Sequence, residues 1–491
     1  MKHHARALSL LLLTAMLAAC GEAAPAADTT AADGTNDSGG GTASEPVSER
    51  DTADIPEDTD LGGFTFRISA RLTTSADTSW GIIDAQEQTG DLINDIVYKR
   101  NTALEDKYNF TIEVLETTNT NAEKAVTEAV KSINAGDDFA EVVLGRLKRA
   151  LPAALEGVWT DVNTLDAIDL TKSYWDQNIV NDLRVGGKNY LLGGNITVTD
   201  DDGFWTCNFN SALAKDYNIS GLYDLAREGK WTLDVMNDNI KKVVTDLNAD
   251  GIYDQNDRLG LLYVKNSSIH PWLAACKTYI VEQDGDEAYF ADTGKLFDVY
   301  EQISELYHNQ GYAYDWLEFG DSAAQISTII SMYENKQVLF HISSISQLRR
   351  FYRDIQTDFG VLPLPKYDAQ QDGYATMVNV NSIDSLMIPI TNTELEKTAI
   401  VLELMAANSW ELDDTYFEVC LQSKYTRDEE SYEMFKLGTE TVIYDLGYFN
   451  DFGGILEAMR LGVVDGTPIA SMYASHKSAM DEAMKKWNEY K

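Results

Sequence analysis

Basic residues are scarce in this chain. It has 39 Lys and Arg against 79 Asp and Glu, a formal net charge of −40. A nucleic-acid partner is excluded on that ground, because phosphate backbones are held by Lys and Arg. Anionic substrates are disfavoured on average, and divalent cations become plausible ligands. Cysteine is nearly absent: besides Cys20 there are only Cys207, Cys276 and Cys420, far apart and without C-x-x-C spacing. That argues against a disulfide-stapled fold and a structural zinc site. Three buried free thiols is the favoured reading, with one disulfide plus one thiol as the alternative. After residue 19 no segment is apolar for 18 residues, so no further membrane span is expected. Repeats of fixed period are also missing. So are G-x-S-x-G, H-E-x-x-H, P-loop and G-x-G-x-x-G motifs. His270, His308, His341 and His476 are the only histidines beyond the leader. Nothing here points to an enzyme. A surface glycoside hydrolase needs paired carboxylates, but 79 acidic residues make such pairs unavoidable and uninformative.

The leader is informative. Lys2 and Arg6 precede an apolar stretch, Ala7 to Ala19, which ends Leu17-Ala18-Ala19-Cys20-Gly21. A positive start, a short apolar core and small residues describe a secretory signal peptide, residues 1–19. Leu-Ala-Ala-Cys resembles the bacterial lipobox, in which the Cys thiol is acylated (palmitate is one such chain) and the polypeptide is cut just before it. Residues 20–60 are rich in Ala, Thr, Asp, Gly, Ser and Pro. Such a segment buries too little surface to offset its ordering entropy and reads as a disordered acidic tether. The expectation is a lipoprotein at the outer face of the cell membrane, held by its acyl chains.

From Leu61 onward the composition is that of a globular protein, 44% hydrophobic and 10% aromatic over the whole chain. The length predicts two lobes. Phe64–Ser69 alternates as a strand, and Asp91–Tyr108 carries apolar residues at helical spacing. Phe110–Leu115, Ala122–Ile133 and Ala140–Leu144 continue the strand–helix–strand alternation. That order implies right-handed crossovers and a mainly parallel sheet. Thr232 is placed to cap a helix running to about Val244, followed by a strand from Arg258.

Between that helix and strand lies the strongest metal signal. A twelve-residue EF-hand-type loop needs oxygen donors at positions 1, 3, 5, 7, 9 and 12, with Gly at 6. Asp246, Asn248, Asp250, the carbonyl of Ile252, Asp254 and Asp257 fill those positions, and Gly251 is sixth. Asp at the twelfth place, where Glu is usual, resembles dockerin-type loops. A strand in place of an exit helix makes it one structural Ca2+ site and argues against a scaffold module.

Several stretches together resemble the extracellular solute-binding proteins of ABC importers, family 1, the carbohydrate-binding group. They are Ile93-Asn94-Asp95 with Tyr98-Lys99-Arg100-Asn101; Asn208 to Leu213 with Gly229 to Asp234; Phe359 to Lys366; Tyr425 to Ser431; and Tyr444-Asp445-Leu446. The resemblance implies an α/β, two-lobed periplasmic-binding-protein-like fold with a hinge and an interlobe cleft. Lobe one would hold residues 61–196 and about 381–433, and lobe two about 197–380 and 434–491. It implies capture of a sugar or oligosaccharide and delivery to ABC permease subunits by a monomer. A peptide or sugar-acid ligand is the alternative within the same fold.

Sugars present apolar C–H faces and many hydroxyls, so aromatic stacking with Asp, Asn and Arg hydrogen bonds is the matching chemistry. Candidates lie on loops after strands. They are Arg71, Trp80, Asn195, Asp201 within Asp200-Asp201-Asp202, Trp205, His341 and Tyr374.

Overall fold

In Phe64–Ala70, strand β1, Phe64, Phe66 and Ile68 are buried while Thr65 is exposed. The computed structural model describes residues 50–71, 82–118, 120–352, 354–418 and 428–490. β1 pairs in parallel with β2, Phe110–Glu116, and with β3, Val142–Arg146. The helices Leu92–Tyr108 and Ala122–Asn134 make the crossovers. Asp91 accepts from the amides of Ile93 and Asn94 to start the first helix, and Asn109 ends it in the left-handed region (φ 53°).

The second sheet is built from β4 (Trp205–Asn210), β5 (Leu259–Tyr263), β8 (Ala313–Asp315), β9 (Val338–Ser344) and β10 (Phe359–Leu362), in the order β10-β4-β9-β5-β8. β4 runs antiparallel to both neighbours and β5 parallel to both of its own. Every residue of β4 is buried. Its polar face is satisfied internally: Asn208 Nδ2 donates to Ser343 Oγ at 2.6 Å and Asn210 Nδ2 to Tyr333 O at 2.9 Å. A separate hairpin, β6 (Val281–Asp284) with β7 (Glu287–Phe290), joins neither sheet. The chain returns to the first sheet as β11, Asp384–Met387, antiparallel to β3. The order there is β11-β3-β1-β2.

The polypeptide thus crosses from the first sheet to the second between β3 and β4, back between β10 and β11, and over again after the helix Leu395–Ala407. This is a two-lobed α/β fold. Two segments depart from the expected boundaries. Residues 429–433, expected in lobe one, belong to the helix Glu429–Thr439, which lies on β10 of the second sheet. Residues 50–60, expected in the tether, dock on lobe one. The Asp51 carboxylate accepts from Ser173 N at 2.8 Å and Ser173 Oγ at 2.6 Å, Asp51 O accepts from Trp410 Nε1, and Ala53 and Ile55 pack on the first core. Ion pairs of Arg50 with Asp414 and of Asp54 with Lys172 add to these contacts. Cys20 lies outside the described residues.

Candidate ligand site at the strand ends and crossings

In open α/β sheets the carboxyl ends of parallel strands face the crevice where ligands bind. β3 ends there in Arg146, and antiparallel β11 begins there with Asp384. Arg146 Nη1 stands 3.1 Å from Asp384 Oδ1, with the side chains only 13% and 9% exposed. Among the described residues neither atom makes a hydrogen bond; the β3–β11 pairing sets the two side chains next to each other. A hydroxyl accepting from the guanidinium and donating to the carboxylate would satisfy both.

The first crossing carries Asp200-Asp201-Asp202 as a single 3-10 turn and its lead-in. Asp202 is buried; its carboxylate accepts from Arg349 Nη2 at 3.0 Å and from the Tyr416 hydroxyl at 2.5 Å. Asp200 and Asp201 keep some surface open to solvent. Desolvation nevertheless holds both carboxyls well above the usual range. Coulombic repulsion adds to it, from Asp176 and Asp413 on Asp200, and from Asp200, Asp413, Asp176 and Asp202 on Asp201. Burial pushes Asp413 up to about 6. Asp176 caps the helix Gln177–Asp182 and accepts from the Tyr444 hydroxyl at 2.8 Å. Carboxylates from lobe one, the crossing and the start of the third crossing therefore act on one another, with Arg349 and Tyr416 bonded to Asp202 and Tyr444 to Asp176.

The other expected contacts divide. Arg71 follows β1 directly, half-buried, with Nη1 3.5 Å from Thr120 O. Asn195 lies at the start of the first crossing; its backbone N–H donates to Tyr174 O at 3.1 Å, and its buried Nδ2 has no hydrogen-bond partner among the described residues. Trp205 opens β4 at 2% exposure, and among the described residues its Nε1 is likewise without a partner. Trp80 lies outside the described residues. His341 and Tyr374 sit in the core. His341 was expected to end its strand, but β9 continues to Ser344. The ring stacks against Phe351 and Tyr352, Nδ1 meets the Tyr352 hydroxyl at 3.0 Å, and burial drives its pKa down to about 3. The Tyr374 hydroxyl accepts from Trp231 N at 3.3 Å, and Lys366 Nζ lies over its ring. Neither presents a surface to a ligand. Arg146, Asp384, Asp176, Arg349, Tyr416 and Tyr444 were not anticipated. Only Arg146 carried a local signal, a charged residue closing an apolar strand.

Cys207 and Cys276 are buried free thiols, and Cys420 lies outside the described residues. The loop 246–257 is closed at its base by a Thr245–Arg258 pair of backbone hydrogen bonds, each 3.0 Å. Gly251 takes φ 81°. Asp246 accepts from the amides of Ala249 and Gly251, Asn248 from that of Asp250, and Asp257 from those of Leu247 and Asp254. The donor set, hard oxygens only, suits calcium in kind. Its side chains are turned to backbone amides. Among the described residues no three His, Cys, Asp or Glu side chains converge on a metal position.

No protein-family model and no curated sequence matches the chain. Solved structures do. The galacto-N-biose-/lacto-N-biose I-binding protein of an ABC transporter from Bifidobacterium longum superposes with a TM-score of 0.54 at 14% identity, covering 87% of this chain and 98% of that one. The GacH receptor of Streptomyces glaucescens, solved unliganded and with acarbose, gives 0.54 at 12%, covering 87% and 100%. A family 1 extracellular solute-binding protein from Bifidobacterium longum subsp. infantis gives 0.51 at 15%, covering 87% and 99%. The fold is that of the periplasmic binding proteins. It is the fold shared by these three neighbours, of which one is described as a binding protein of an ABC transporter and one as a family 1 extracellular solute-binding protein.

Proposed function

We propose that this protein is a substrate-binding protein that captures a sugar or oligosaccharide between its lobes and delivers it to an ABC permease, without catalysing a reaction. The observation that carries this is the Arg146–Asp384 pair, mostly shielded at the strand ends of lobe one and, among the described residues, short of hydrogen bonds. Asp201 and Asn195 on the first crossing are the further candidates, and Trp205 opens β4 just after it. Arg146 and Asp384 take hydroxyls; Asn195 and the Asp200–Asp201 turn extend the polar rim, with Arg71 at the end of β1. The solved neighbours are described in complexes with lacto-N-biose, acarbose and cycloalternan, which supports a glycan ligand here.

The test is calorimetric titration and thermal shift of the 50–491 body against mono- and oligosaccharides. A ligand at 100 times its Kd adds ~2.7 kcal/mol to stability. Selective binding of one glycan series, weakened at least tenfold by Arg146→Ala or Asp384→Ala, supports the reading. Binding only of peptides, or turnover of a glycan, overturns it.

The anchor and the cation belong to the same proposal. Among the described residues no helix is long and apolar enough to cross a membrane. Acyl chains on Cys20 would hold the protein at the outer face, and Cys20→Ser would release it into the medium. Calcium held by Asp246, Asn248, Asp250, the Ile252 carbonyl, Asp254 and Asp257 would neutralise the loop and rigidify the turn between the helix Leu233–Val243 and β5. Terbium emission sensitised through Tyr253 reads this directly. Emission lost on Asp250→Ala supports the site, and emission unaffected by that change overturns it. The protein is proposed to act as a monomer.

A further inference from the structure

The hairpin β6–β7 is bound at two levels of strength. Its base is built into lobe two. The buried Asp445 carboxylate accepts from the amides of both Ile280 and Val281, and from Gly447 N at 2.7 Å. Asn488, on the helix Ile469–Glu489, exchanges two hydrogen bonds with the backbone of Ala288, at 2.9 and 2.8 Å. Phe290 meets Phe452 edge to face.

The tip reaches lobe one, and its contacts are fewer and wetter. Gln283 Nε2 donates to Arg184 O at 2.9 Å, and Arg184 Nη2 donates to Gly285 O at 3.1 Å. Asp286 lies against the Val185–Lys188 turn so closely that a Cβ on Gly187 would stand 2.6 Å from its carboxylate. The residues next to the two anchors touch lobe one as well. Tyr444 precedes Asp445 and donates to Asp176. Tyr490, two places after Asn488, meets Tyr190 edge to face with ring centres 6.4 Å apart. Hairpin, Tyr444 segment and C-terminal helix end therefore form one block that faces residues 176–190 of lobe one, while the buried turn of helix Leu446–Phe449 beside Asp445 packs on the lobe-one helix Leu147–Ala154.

We propose that this block is an interlobe strap: it holds the lobes in the arrangement seen here and lets go at the Arg184–Gly285 and Gly187–Asp286 contacts when they part. The asymmetry argues for this. Buried anchors hold the base of the hairpin, whereas the tip depends on one exposed and one part-buried hydrogen bond and a close fit against an exposed carboxylate, which solvent can replace. Because Tyr444 joins the strap to Asp176, and Asp176 acts electrostatically on Asp200 and Asp201, release would be felt at the ligand rim. The inference goes beyond the binding reading and is readable without any ligand.

The experiment compares Arg184→Ala and Gly187→Ala with the parent in small-angle scattering and in hydrogen exchange over residues 280–291 and 184–190. Arg184→Ala removes the Nη2–Gly285 bond and leaves the Gln283 bond to the Arg184 carbonyl, so it should shift the ratio of this arrangement to a parted one by about threefold to tenfold. The expected result is a larger radius of gyration and faster exchange in both segments. Adding Asp286→Gly to Gly187→Ala relieves the clash and should return exchange toward the parent, which mere strain at a left-handed glycine would not allow. Unchanged scattering and unchanged exchange in Arg184→Ala, in protein that melts as the parent does, would overturn the strap.

Discussion

Arg100 Nη1 donates to Ser409 Oγ at 2.8 Å and also to Ile196 O at 3.0 Å. One side chain on the first helix of lobe one thus ties the start of the first crossing to the start of the third. Its Nη2 reaches Ile83 O and its Nε reaches Asn101 Oδ1. Arg100 is 6% exposed and, among the described residues, makes no hydrogen bond to a carboxylate; burial lowers its pKa to about 10, still charged at neutral pH. A planar fork suits four acceptors in different directions, and a lysine ammonium does not.

Arg100→Lys should therefore destabilise by ~2–4 kcal/mol, because carbonyls are left buried without donors. Urea unfolding followed by tryptophan fluorescence measures this. A cost under ~0.5 kcal/mol would show that the tie contributes nothing to stability.

His341 makes a prediction about acid. Its folded pKa is about 3 against an ordinary 6.5. The folded state holds fewer protons than the unfolded one between those values, so stability is fully present above pH 6.5 and is lost as pH falls toward 3. A shift of that size corresponds to roughly 4–5 kcal/mol at the acid end. His341→Gln keeps a polar group toward Tyr352 without titrating. Its stability relative to the parent should improve by about 1.4 kcal/mol per pH unit below 6.5. Parallel curves for the two proteins from pH 7 to 4 would contradict the burial argument.

Asp201 carries the opposite sign. Its carboxyl sits well above 3.8 because burial and the neighbouring carboxylates disfavour the charge. The folded state binds the proton more tightly, so the penalty is absent below pH 4 and grows as pH rises past it. Asp201→Asn should raise Tm at pH 8 and leave it unchanged at pH 4. A Tm lowered at both values would mean that the charge itself is needed structurally. Weakened glycan affinity alongside the raised Tm would mark a side chain kept for binding at the expense of stability.

Sequence periodicity was enough for the first three strands and two helices, because each crossover segment has its own apolar face. Leu92–Tyr108 differs from the expected helix only at its cap. Thr232 caps its helix as expected, accepting from Val235 N. The hairpin β6–β7 and strand β11 were not legible. Each has four residues, and what fixes them is remote: Asp445 and Asn488 for one, the edge of β3 for the other. The site divides in the same way. Asp201 and Asn195 stood out because polar residues cluster at a crossing. Arg146 and Asp384 are 238 positions apart and meet only through the β3–β11 pairing. His341 and Tyr374 misled because a polar aromatic beside a turn looks the same whether its partner is a ligand or a buried tyrosine or amide.

Gly260 shows how tightly lobe two is assembled. It lies in β5, and a Cβ there would stand 2.3 Å from Ile240 Cγ2 and 2.6 Å from Tyr312 O. One neighbour is a side chain that could be removed; the other is backbone, fixed because Gly260 N donates to Gly311 O at 2.9 Å. Gly260→Ala should cost ~1–3 kcal/mol through overpacking between the helix Leu233–Val243 and the sheet. In an Ile240→Ala background the same change should cost less, a coupling of at least ~0.5 kcal/mol, because half of the clash is gone. The remainder belongs to Tyr312 O and should persist in every background. Denaturant unfolding of the four proteins in the cycle gives both terms. Strict additivity would mean that the helix, rather than the Ile240 side chain, moves to make room.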